Sequence, residues 1–156
     1  IGPAKTGSGD TMRGILAVSL MGFVVAAFAA DVGEIKVVRG AAHIERGTER
    51  LAVRAGMPVQ QADKVVTGAD GTVGITFADN SLLSIGPDSA LAIDRFVFDS
   101  TTHAGQFDST LSKGTLAVIS GKMVKQSPEA MRVRTPSSIM GVRGTEFVVK
   151  VDDPKK

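Results

Sequence analysis

The chain has 156 residues, with 18 Lys plus Arg against 16 Asp plus Glu and a formal charge of +2; the two signs are interspersed, which argues against nucleic-acid binding through bulk charge. It contains no Cys, Trp or Tyr, and its aromatics are seven Phe, so thiol chemistry, a cysteine zinc site and disulfides are excluded and stacking platforms for bases or sugars are poorly supplied. The length suits one domain with an apolar core of its own.

Residues 1–11 are small and polar and read as a disordered or non-native leader. Met12 opens a segment with Arg13, an apolar run over 15–25 and the small-residue pattern Ala27-Phe28-Ala29. This is the layout of a secretory signal peptide at 12–29, and the run is shorter than the ~20 residues of a spanning helix. The folded domain is then 30–156, nearly neutral with 16 basic and 15 acidic residues. A periplasmic or secreted location is expected.

The rest is dense in Val, Ile, Thr and Gly without sustained 3.6-residue apolar spacing, which predicts an all-β fold behind the signal-peptide helix. Strands are expected at 33–38, 41–45, 49–53, 64–67, 72–77, 82–85 and 91–93. Asp70-Gly71 reads as the turn of a hairpin joining 64–67 to 72–77, and Asn80 as a left-handed turn residue. Residues 94–109 read as an irregular loop. Leu111, Leu116, Val118 and Ile119 resume the strand pattern around Lys113-Gly114, and 121–129 is a polar connection. Such short units suggest stacked hairpins in a β-roll, a solenoid-like stack or a sandwich.

The stretch 132–151 reads as strand, tight loop, strand. Thr145, Phe147, Val149 and Val151 can share one face, with Glu146 and Lys150 on the other and Val148 between them. Pro136 pushes Thr135 towards extended geometry, and Gly141 and Gly144 give backbone freedom on either side of Arg143. The fork of donors on Arg143 suits a partner's carboxylate or another anion. The plainer reading, preferred on sequence, is that Arg143 pairs with Glu146 or loop carbonyls while Thr145 closes the ladder. Arg132 and Arg134 should project from one face, with Lys122, Lys125 and Lys150 nearby, as a solvated face or a partner-binding patch.

Nothing in the sequence assembles a catalytic or metal constellation. His43 and His103 have no carboxylates at ligand spacing. Asp79, Asp88, Asp94, Asp99 and Asp108 suit turn and capping duty, and Ser137 and Ser138 lack a nucleophile-elbow pattern. No cofactor and no enzyme activity are expected.

Four blocks in register resemble the FecR family domain: VGEIKVVRGAAHIERG at 32–47, VVTGADGTVGITFADNSLLSIGPDSAL at 65–91, KGTLAVISG at 113–121 and VRTPSSIMGVRGTEFVV at 133–149. The last block carries Thr135, Pro136, Gly141, Gly144, Thr145 and Phe147 and is the most specific. Ala62 and Asn80 stand where that family usually has glycine. The resemblance implies a periplasmic all-β module of the kind first known from iron-siderophore signalling. It is to that module alone, without the cytoplasmic anti-sigma segment, so sigma-factor regulation is not implied. The expected work is noncovalent binding or signal sensing in the cell envelope, with another envelope protein or a surface polymer as partner and Arg143, Arg132, Arg134 and Lys150 as contact residues. An assembly role through exposed sheet edges and an enzyme acting on an envelope substrate are the competing readings.

Overall fold

A computed structural model describes residues 30–152; the leader and the signal segment expected at 12–29 lie outside the described residues. The strands are β1 (Asp31–Arg39), β2 (Ala42–Arg46), β3 (Glu49–Ala52), β4 (Pro58–Gln60), β5 (Lys64–Thr67), β6 (Thr72–Phe77), β7 (Leu82–Ile85), β8 (Ala90–Phe98), β9 (Gly105–Ile119), β10 (Met131–Arg134), β11 (Ile139–Gly141) and β12 (Glu146–Val151), with a short helix α1 (Lys122–Gln126) before β10. They form one twelve-stranded sheet, curled into a half-barrel. The all-β expectation holds.

Strict alternation of buried and open residues drives the curl. In β6 and β7, Val73, Ile75, Phe77, Leu83 and Ile85 turn inward, while their sequence neighbours face out. At the centre Phe77 meets Phe107 with ring centroids 4.6 Å apart and Phe96 at 5.4 Å. Phe77 comes from one half of the curl and the other two from the opposite half, so this contact welds the halves across the core.

β9 organises both halves. Its first part pairs with β8 on one side and, in parallel, with β10 on the other; from Gly114 onward it pairs with β7 and β12. Gly114 has φ +92°, and a Cβ there would overlap the side chain of Ser89. The strand pattern expected around Lys113-Gly114 is one fifteen-residue strand, with a bend at Gly114. Buried Ser89 locks it: its Oγ accepts the Thr115 N–H at 2.9 Å, and its own N–H donates to Thr67 Oγ at 2.9 Å.

Three sequence expectations change. β5 and β6 do not pair; β5 lies between β2 and β8, and β6 between β1 and β7. Asp70-Gly71 is instead a corner where the chain crosses from one half to the other. It stacks on the corner at Ala41, whose N–H donates to Asp70 Oδ1 at 3.3 Å and whose carbonyl accepts the Gly68 N–H at 2.9 Å. The loop expected over 94–109 is mostly strand, because β8 and β9 form a long hairpin with only 99–104 between them. Finally, 132–151 is not strand, tight loop, strand but three strands: β10 and β11 pair with each other, whereas β12 joins the other half through β9.

Candidate functional site

The closing stretch presents its basic residues by alternation. Met131 and Val133 are buried in β10, so Arg132 and Arg134 face outward together, as expected. The turn after β10 is closed by the Thr135 N–H donating to the Ser138 carbonyl at 2.8 Å and by the Ser138 N–H donating to Thr135 Oγ1 at 3.1 Å. After β11 the chain dips once into the core at Val142, which is fully buried and donates its N–H to the Met131 carbonyl at 3.0 Å. Gly144 then takes φ +91°, a region that other residues adopt at a cost. Gly141 is not held to a positive φ, and space around it is open.

Arg143 is exposed between these two fixed points. Among the described residues its guanidinium makes neither an ion pair nor a hydrogen bond, so the preferred expectation of pairing with Glu146 or loop carbonyls does not hold. The loop is held by Ser120 instead, whose Oγ donates to the Gly144 carbonyl at 2.6 Å and whose N–H donates to the Thr145 carbonyl at 2.8 Å. Thr145 thus closes the ladder, as expected. Sequence reasoning missed Ser120 and Val142; the isolated apolar residue between Gly141 and Arg143 was the available signal.

Arg132 and Arg143 converge on a depression of about 300 Å³ lined also by Pro128, Glu129, Ile139 and Gly141. Ile139 is 64% exposed. Arg132 and Arg143, neither bonded to another described residue, border a mixed lining whose one acid is Glu129, and two such guanidinia can grip a planar anionic group through charge-assisted bonds. Arg134 is not part of this lining. Lys150 lies apart with Thr135, Pro136 and Val151 along a second depression of about 520 Å³. Phe147 and Val151 are half-buried and Val149 buried, while Thr145 is open, so the β12 face forms from three of its four expected members.

Several of the other flagged residues have local partners. His43 lies beside Glu45 and Arg50, and His103 stacks on Phe98 with centroids 6.0 Å apart. Asp79 accepts the Ser81 N–H and hydroxyl at 3.0 and 2.7 Å. Asp99 accepts the Thr101 N–H at 2.8 Å, and this bond, with a second from Thr102, holds its carboxyl below the usual range. Fully buried Asp63, which sequence reasoning passed over, takes a bidentate grip from Arg46 at 2.8 and 2.7 Å; the bond raises the guanidinium pKa further.

The geometry is that of an all-β domain closed by a Pro- and Gly-defined loop that presents an arginine. Residues 63–156 match the FecR protein family, more than half of the chain, and the chain belongs to that family. The match begins at Asp63, includes the whole closing stretch, and leaves β1 to β4 before it. A solved structure titled "Cell surface anchoring domain" is similar at 27% identity and a TM-score of 0.39, over 40% of this chain and 83% of that one. No curated protein matches.

Proposed function

We propose that this chain is a noncovalent binding or signal-sensing module of the bacterial cell envelope, periplasmic or secreted, and that Arg132 and Arg143 recognise an acidic group on another envelope protein or a surface polymer. The observation that carries the reading is that both line one depression and neither is bonded to another described residue. Guanidinia that serve the fold are normally bonded, as Arg46 is to Asp63; an arginine held out by its neighbours' anchors is available to something else. Membership of the FecR family supports the envelope setting.

The test is site-specific photo-crosslinking in the native envelope, with the crosslinker at Ile139 on the rim of the depression. A discrete species should be captured, and Arg132→Ala with Arg143→Ala should lower its yield about tenfold, whereas Arg50→Ala on β3 should not. If capture fails, or if all three substitutions act equally, the reading is wrong.

A further inference from the structure

Among the described residues, β12 pairs with one strand, β9, and on one side only. Its register on β9 runs without a bulge from Glu146 opposite Ile119 to Val151 opposite Gly114. The Ser120 N–H donates to the Thr145 carbonyl, and antiparallel bonding alternates along a strand. Phe147, Val149 and Val151 therefore bond towards β9. Glu146, Val148 and Lys150 aim their N–H and C=O groups at the open side, where no described strand pairs with them.

Free edges are usually kept short, charged, bulged or interrupted by proline. The other terminal strands follow that rule: β4 has three residues and begins with Pro58, β3 has four with Glu49 and Arg50, and β11 has three. β12 has six residues, no proline and no bulge, and Val148 at its middle is 61% exposed. Glu146 and Lys150 flank it, each exposed and without an ion-pair partner among the described residues.

We propose that this edge is a homodimer interface, in which β12 pairs antiparallel with β12 of a second copy about a two-fold axis through Val148. In that register Val148 faces its own equivalent, and Glu146 faces Lys150 of the second copy at both ends. All three open residues enter hydrogen-bonded pairs. On the inner face Phe147 meets Val149 of the second copy. Moving the axis to Phe147 or Val149 sets one charge against Val148 and loses both ion pairs, so charge selects a single register. The surface is self-complementary, as two-fold association requires.

Sedimentation velocity of the full chain from about 1 µM to 1 mM should show monomer giving way to dimer. Glu146→Lys and Lys150→Glu each place like charges opposite one another at both ends, and each should weaken self-association at least tenfold. Mixed together, the two variants should form a heterodimer, because each supplies the charge that the other lacks. Unchanged circular dichroism would show that the exposed substitutions leave the fold intact. A chain that stays monomeric throughout, a dimer that survives both variants, or variants that fail to rescue one another would each overturn the proposal.

Discussion

Ala62 holds a left-handed backbone with φ +75°, and Asn80 does so at +69°. Asparagine tolerates that region through its short polar side chain, and position 80 was legible for that reason. Alanine has no such compensation, and a Cβ there costs about 1–2 kcal/mol. The resemblance marked 62 as a position where glycine is usual, and the backbone supplies the reason: the turn must deliver Asp63 inward to Arg46 while the Ala62 N–H bonds the Ile93 carbonyl at 2.7 Å. Ala62→Gly should therefore stabilise the fold by about 0.5–1 kcal/mol after the added unfolded-state entropy. A higher urea midpoint at unchanged slope would show it, and a lower midpoint would contradict the strain. The availability of Arg143 was not legible in the same way. Whether a nearby acid such as Glu146 reaches it depends on which strand that acid joins, and residue spacing does not encode this.

The elements divide by how local their determinants are. β6 and β7 fall where the alternation places them, over 72–77 and 82–85, because a strict period of two is a property of the segment alone. Asp70-Gly71 misled for the converse reason: a glycine at a corner or at a hairpin tip satisfies the same local chemistry, and the partner strand decides between them. β4, three residues beginning with proline, offers too little pattern to register. The bend in β9 is the element on which most depends. Gly114→Ala combines a positive φ with overlap on Ser89, and should cost at least about 3 kcal/mol. Thermal unfolding would report this as a large fall in Tm, whereas Gly141→Ala, in open space, should change little.

For the whole molecule, the all-β class was readable, but the pairing was not. Sequence suggests a pile of local hairpins; the structure joins β1 to β6, β2 to β5 and β5 to β8. Long-range pairing is chosen by the collective fit of the core, which no window of residues contains. Because β9 is shared by both halves and Ser89 ties them at the bend, the sheet should open as one cooperative unit. Native-state hydrogen exchange checks this: amides of β6 and β10 should reach the same limiting opening free energy, and two separate values would mean that the halves act independently. The position of β9 also bears on biosynthesis. A nascent chain that has emerged only as far as β8 offers bare edges at both β7 and β8, with the strand meant to cover them still unmade. Such an intermediate invites misassembly until residue 119 is free.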